Sequence, residues 1–386
     1  MAEHLFLTGS TGFIGSRLLT LWLERTEAQV TLLIRNRAGI TAESQLQRLL
    51  TTYPEEARND LAKRVRFVHG DLAVPHLGLG PDDFEGIADT VTHIVHAGAE
   101  LRFDLSLAQA RRTNTDGTAT VLDLARRCSH LERFDYMGTA YVAGRGSGIV
   151  REDARHDGIE HNNTYERSKY EAELLVREAM AELPATILRP SIVTCDLKTG
   201  YAPSTSAFYR LLRAVASGAL EVLPGRADIM LDLVSVDYIV EAAFVIGRRS
   251  DLVGHGYHLS AGVDNRISLG ELRDLACASF GRESLDILLP EKFTLWSAAV
   301  CSAAPEKCGF LDELALYVPY LSNNPIFDNA NTRRALTATD VRPVSVMDYF
   351  DRVAAYVLDT LPETDTHGGK SHRTPSTGFG KRKFLS

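Results

Sequence analysis

Cysteine is scarce and unpatterned: Cys128, Cys195, Cys277, Cys301 and Cys308 are five, an odd number, with no Cys-x-x-Cys spacing. That excludes a disulfide framework and a cysteine zinc site, and suits free, mostly buried thiols in a reducing compartment. The 12 histidines make no His-x-x-x-His pair, and His93 and His96 fall at a strand end, where packed histidines are expected. No metal site is expected. Basic charge is in deficit, 42 Lys and Arg against 50 Asp and Glu, for a net charge of −8. This argues against nucleic acid as a partner, since phosphate contacts need a basic face. A local patch such as Arg210 to Arg213 is still available to an acidic carrier protein. No run is apolar and long enough to span a bilayer. The longest, Phe293–Ala304, is rich in small residues and is expected to form a buried or substrate-facing helix. A weak contact with a membrane surface is the alternative. The start carries no basic leader with an apolar core, so a cytoplasmic location is expected and the Asn162-Asn163-Thr164 sequon carries no meaning. No internal repeat is present.

What is present begins with glycine. Thr8-Gly9-Ser10-Thr11-Gly12-Phe13-Ile14-Gly15 follows the short apolar run His4–Thr8 and precedes a segment with apolar residues at helical spacing. Strand, glycine turn and helix in that order form a phosphate-binding context. Glycines allow the tight turn, the approach of backbone to a pyrophosphate and close packing of helix on strand. The helix N-terminus offers free N–H groups and partial positive charge to the same anion. The spacing is Gly-x-x-Gly-x-x-Gly, not the simpler Gly-x-Gly-x-x-Gly, and a glycine-rich turn without ligand is the plain alternative.

The second strand, Gln29–Arg35, ends in Arg35-Asn36-Arg37, where an NAD enzyme would place a ribose-binding acid. An acid repels a 2′-phosphate and arginines attract one, so Arg35 and Arg37 favour NADP(H). Two solvated loop arginines are the alternative. The segment Val65–Leu72 reads as a third strand ending in an acid, with Asp71 either an acceptor for the adenine amino group or a turn former. A fourth ends in Ala97-Gly98-Ala99, whose small side chains leave room for a flat cofactor.

Tyr165 and Lys169 lie four apart in a segment of strong helix propensity and so share a face. An ammonium beside a phenol favours its ionised form, which suits Tyr165 to general acid work toward a carbonyl oxygen. Upstream, the segment from Arg133 reads as a strand terminating in Thr139, whose hydroxyl can meet the same oxygen. Tyr-x-x-x-Lys alone is common; Thr139, Tyr165 and Lys169 in order after a nucleotide turn are specific.

With these residues the chain resembles the extended short-chain dehydrogenase/reductase superfamily over about residues 4 to 262. Gly9, Gly12 and Gly15 match its nucleotide turn, His96–Ala99 its small-residue motif, and Asn114 its structural asparagine. Thr139, Tyr165 and Lys169 match the catalytic positions, and Arg189-Pro190-Ser191-Ile192-Val193 the segment lining the nicotinamide. Within it the chain is closer to thioester reductases and fatty acyl-CoA reductases. The residues that carry this are Gly70–Leu79, Ala99–Asp104, Asn163–Lys169, Asp232–Tyr238 and, more loosely, Tyr317–Leu321 and Phe327–Arg333. The resemblance implies an NADPH-dependent reductase of an acyl thioester on CoA or a carrier protein, giving aldehyde and, after a second hydride, alcohol. It also implies that nucleotide-lobe helices can pair in a homodimer. A ketone or secondary-alcohol oxidoreductase on the same scaffold is the alternative. A sugar-nucleotide epimerase and a non-catalytic NADP(H) sensor stand further off.

The expected architecture is α/β: a doubly wound parallel sheet with a smaller, mainly helical substrate lobe. Residues 1–193 and 230–262 are assigned to the nucleotide domain, and 194–229 and 263–362 to the substrate lobe. Residues 363–386, poor in large apolar side chains, are expected to be a disordered tail.

Overall fold

A computed structural model of the chain describes residues 2–35, 41–51 and 53–361. Arg37 and the 363–386 segment lie outside the described residues.

Seven parallel strands form the central sheet: β1 His4–Thr8, β2 Gln29–Ile34, β3 Val65–His69, β4 His93–His96, β5 Arg133–Met137, β6 Ala185–Pro190 and β7 Gly256–Leu259. Their spatial order is β7-β6-β5-β4-β1-β2-β3, with every pairing parallel. Alternate side chains of a strand leave opposite faces, so a strand covered on both sides must be apolar throughout. β1 shows this: Leu5, Phe6 and Leu7 are all fully buried. Leu5 and Leu7 join Trp22 of the Phe13–Arg25 helix and Ile239 of the Val236–Gly247 helix. Phe6 joins Val121 of the Leu107–Arg127 helix and Val176 of the Thr164–Ala179 helix on the other face. Strand order reverses between β1 and β4, and the crevice outside their carboxyl ends is where such sheets bind nucleotides.

A separate apolar core gathers Phe208 and Leu212 of the Ala207–Ser217 helix, Leu272, Leu314, and Tyr349 and Phe350 of the Val346–Asp359 helix. This is the second lobe, but its boundary differs from the sequence expectation. Pro325–Phe327 pairs in parallel with Gly148–Val150, and Ala335 and Leu336 pack into the core of the first lobe. The cause is the buried Glu152 carboxylate. It accepts from His258 N–H (2.9 Å), Asn331 N–H (2.5 Å), Thr332 N–H (3.1 Å) and the Thr332 hydroxyl (2.7 Å), drawing the Ala330–Leu336 helix onto the sheet. The Phe293–Ala304 expectation also changes. The helix Pro290–Ala303 buries only Phe293, leaves Leu295 74% exposed, and lines no part of the cleft. Among the described residues no helix is long and apolar enough to cross a membrane.

Candidate active site

The glycine turn brings backbones into contact. Gly12 N–H donates to Gly9 O at 2.9 Å, and Gly9 sits at φ +74°. A Cβ on Gly9 would lie 2.6 Å from the backbone of Ala97 and Gly98, and one on Gly15 would lie 2.1 Å from Gly9 O. Only glycine fits either position. The helix that follows has no side-chain cap and no acid in its first turn, so its N–H groups and positive end face the turn. Beside it the Ser10 hydroxyl is buried without a hydrogen-bond partner. Uncapped N–H groups, an orphaned hydroxyl and a cradle closed to any side chain fit a dinucleotide pyrophosphate.

Behind this turn, hydrogen bonds fix one histidine tautomer. The Thr118 hydroxyl donates to Asn114 O (2.6 Å), so His96 Nε2–H donates to Thr118 Oγ1 (3.0 Å). His96 Nδ1 then accepts from the Thr8 hydroxyl (2.7 Å), whose oxygen takes Gly98 N–H (3.1 Å). Burial, with the nearby Lys169 charge, holds the His96 pKa down to about 3, so this ring is neutral. Asn114, expected among the cofactor contacts, does not line the cleft. Its amide donates to Glu100 O (3.0 Å) and Ser168 Oγ (2.9 Å), and its oxygen accepts Glu100 N–H (2.8 Å). Those bonds occupy the side chain and clamp three segments from behind.

The Thr164–Ala179 helix starts at Asn163, whose side chain accepts Glu166 N–H at 3.0 Å. Tyr165 and Lys169 follow on one face. Lys169 Nζ donates to Met137 O (2.8 Å) and stands 4.3 Å from the centre of the Tyr136 ring. Burial lowers the Lys169 pKa to about 7, against an opposing pull from Glu173. Burial pushes the Tyr165 phenol up to about 12, partly countered by a hydrogen bond with Thr139. The depression of Tyr165 expected from Lys169 is therefore not present, because the ammonium is turned to the end of β5. Thr139, just past that strand, accepts Tyr141 N–H at 3.2 Å.

A cleft of about 2400 Å³ between the lobes joins these pieces. Thr8 to Gly15, Arg35, Asp71, Leu72, Ala97 to Ala99, Thr139, Tyr165, Lys169 and Pro190 to Ile192 all line it. Asp71 accepts Ala73 N–H at 2.9 Å, which is the turn-forming role. Leu72 fills the space beside Gly98 and Gly117, where a Cβ would approach it to 2.8 and 2.9 Å. Arg210, expected in a docking patch, is paired with Glu313 across the cleft wall.

Sequence reading missed Arg48, which lines the cleft from the Ala42–Leu50 helix and has no sequence signal beyond a charged helix position. It also missed an aromatic wall. Phe103 lies 5.7 Å from Tyr165, 5.7 Å from Tyr317 and 5.6 Å from Tyr320, ring centre to ring centre. Both segments were singled out for their resemblance, but nothing in the sequence brings them together.

Over 281 and 273 residues the chain is 27% and 28% identical to two Drosophila melanogaster fatty acyl-CoA reductase homologues, covering 64% and 62% of this chain. It is 28% identical over 358 residues to a non-canonical nonribosomal peptide synthetase of Aspergillus hancockii, covering 87% of this chain. The chain spans 52%, 53% and 34% of the lengths of these three curated relatives, about half or less. The crystal structure of the terminal R domain from the myxalamid PKS–NRPS pathway superposes with a TM-score of 0.78 at 27% identity, covering 93% of this chain and 91% of that one. The family model described as Male sterility protein matches residues 7–243, more than half of the chain, and the chain belongs to that NAD-binding family.

Proposed function

We propose that the chain is an NADPH-dependent reductase of an acyl thioester, carried on CoA or a carrier protein, yielding an aldehyde and, by a second reduction, an alcohol. The observation that carries this reading is one cleft lined by a phosphate-type glycine turn and by Thr139, Tyr165 and Lys169. The reductase names of the similar proteins support it. Gly9 to Gly15 and the Ser10 hydroxyl would hold the pyrophosphate. Arg35 and Arg48, both lining the cleft, support a 2′-phosphate and hence NADPH over NADH.

When bound, the reduced dinucleotide supplies hydride. Thr139 and Tyr165 hold the oxygen of the thioester carbonyl as it gains negative charge, with donors already in place. Tyr165 is protonated near neutrality and so can donate, and the same hydroxyls hold the oxygen of the aldehyde in a second reduction. Lys169, buried beside β5, orients the ribose end and contributes positive charge once protonated. The test is incubation with NADPH and octanoyl or longer thioesters on CoA and on a carrier protein, following thiol release and aldehyde. Carbonyl reduction without thiol release from any thioester would favour a ketone reductase instead.

A further inference from the structure

Tyr320, from the turn Val318–Leu321 of the second lobe, is in contact with both segments that carry the candidate catalytic hydroxyls. Its ring stacks on Phe103 at 5.6 Å and 23°, and Phe103 in turn packs against Tyr165. On its other side it meets the edge of Tyr141, two residues beyond Thr139, at 5.0 Å and 73°. The hydroxyl is held as firmly as the ring. It donates to Glu166 Oε1 at 2.5 Å and accepts from Asn163 Nδ2 at 2.7 Å.

Glu166 has little other reason to be there. It is fully buried, adjacent to Tyr165 in the chain, and makes no ion pair among the described residues. Its carboxylate accepts from Asn162 N–H (2.8 Å), Asn162 Nδ2 (3.2 Å) and Tyr320. A buried carboxylate needs such donors, and Tyr320 is the one that comes from the other lobe. With the thioester carbonyl at the Tyr165 phenol, as in the reading above, the wall of Phe103, Tyr317 and Tyr320, which packs on Tyr165 and lines the same cleft, is within reach of the acyl carbons next to that carbonyl.

We propose that Tyr320, locked by Glu166, is a specificity-determining residue that selects thioesters whose acyl chain carries several apolar carbons, and that Glu166 is its positioning residue. The inference rests on the acyl thioester reading. Each methylene buried against such a wall is worth about fourfold in affinity, so a fixed wall separates octanoyl from acetyl groups.

The experiment compares octanoyl and acetyl groups, on CoA and on a phosphopantetheinylated carrier protein, with NADPH and thiol release as readout. The wild type favours octanoyl in kcat/KM. Tyr320→Phe keeps the ring and loses the tether, so octanoyl kcat/KM falls about tenfold while acetyl stays within about twofold and NADPH affinity is unchanged. Glu166→Gln retains an acceptor oxygen and restores most of the preference; Glu166→Ala behaves like Tyr320→Phe. Should Tyr320→Phe fail to fold, the Gln and Ala variants of Glu166 decide, since equal selectivity in the two overturns the tether. An unchanged octanoyl preference in Tyr320→Phe, or an equal fall for both acyl groups, overturns the inference alone. An active wild type without chain-length preference does the same. A wild type that releases thiol from neither group overturns the reductase reading together with it.

Discussion

Arg189 and Glu173 form a two-pronged buried pair, 2.8 and 2.5 Å between heavy atoms, one helical turn beyond Lys169. Their side chains are 0% and 2% exposed. Burial alone would raise the Glu173 pKa, but Arg189 and Arg177 bring it down to about 2. Arg189 Nη1 is used as well, on Glu152 O at 3.0 Å and on the His258 ring at 3.2 Å. Breaking such a pair strands a charge in the interior. Arg189→Met is therefore expected to cost about 3–5 kcal/mol in urea unfolding. The double change Arg189→Met with Glu173→Leu should recover much of that loss. A single variant as stable as the wild type would refute this account.

Lys169 predicts a pH dependence of the same sign as that of an ion-paired carboxylate, but in a much higher pH window. Its folded pKa, about 7, lies below the ordinary lysine value of 10.5, so between those limits the folded state holds fewer protons than the unfolded. Stability from this group rises with pH across that window, and its burial cost is fully felt below it. Glu173 has the same sign in a lower window: its contribution is present above the ordinary value of 4.5 and is lost as pH falls toward about 2. Unfolding of ligand-free wild type at pH 6.5 and 9.5 should differ from that of Lys169→Met by on the order of 2 kcal/mol. Parallel profiles for the two proteins would remove Lys169 from the explanation.

The glycine turn makes a graded prediction. Gly15→Ala places a Cβ 2.1 Å from Gly9 O, whereas Gly12→Ala places one 3.2 Å from the same oxygen. The first must move backbone and should lower both melting temperature and NADPH affinity, the latter by about a hundredfold. The second needs a shift of only a few tenths of an ångström and should lose less of each. Fluorescence titration with NADPH would show a reversed ranking at once.

Cofactor choice can be read from Arg35 and Arg48. If they meet a 2′-phosphate, Arg35→Ala and Arg48→Ala should each lower the NADPH-to-NADH ratio of kcat/KM about tenfold, the worth of one charge-assisted hydrogen bond. NADH kinetics should move little. Equal losses with both cofactors would indicate a general weakening of the site.

Tyr165→Phe tests the proton donor. The buried phenol hydrogen-bonds with Thr139 and its ring packs on Phe103, so the variant keeps the packing and loses only the hydroxyl. A fall in kcat of about 10²–10⁴ with unchanged NADPH affinity is expected in thioester reduction.

Local patterns carried most of the first lobe. Continuous apolar strands, the Gly9–Gly15 turn and the Tyr165–Lys169 spacing are short-range signals, and the doubly wound parallel sheet followed from the alternation of strands and helices. Contacts between distant segments were not legible. The stacking of Tyr320 on Phe103 joins residues more than two hundred apart, and Glu152 gathers a helix from residues 330–336 that sequence assigned to the other lobe. The Tyr165 pKa escaped for a related reason: i,i+4 spacing puts Lys169 on the right face, but the Met137 carbonyl decides where its ammonium points.

Glu152 also decides how this polypeptide can be dissected. Because its carboxylate anchors residues 331 and 332 to the nucleotide-binding sheet, the chain crosses from sheet to second lobe and back more than once. A nucleotide-binding fragment ending near residue 262 would forfeit the Ala330–Leu336 cover and leave a carboxylate inside it with three of its four hydrogen bonds cut. Expression of either half in isolation should give insoluble material, and limited proteolysis should nick surface loops without releasing a stable piece.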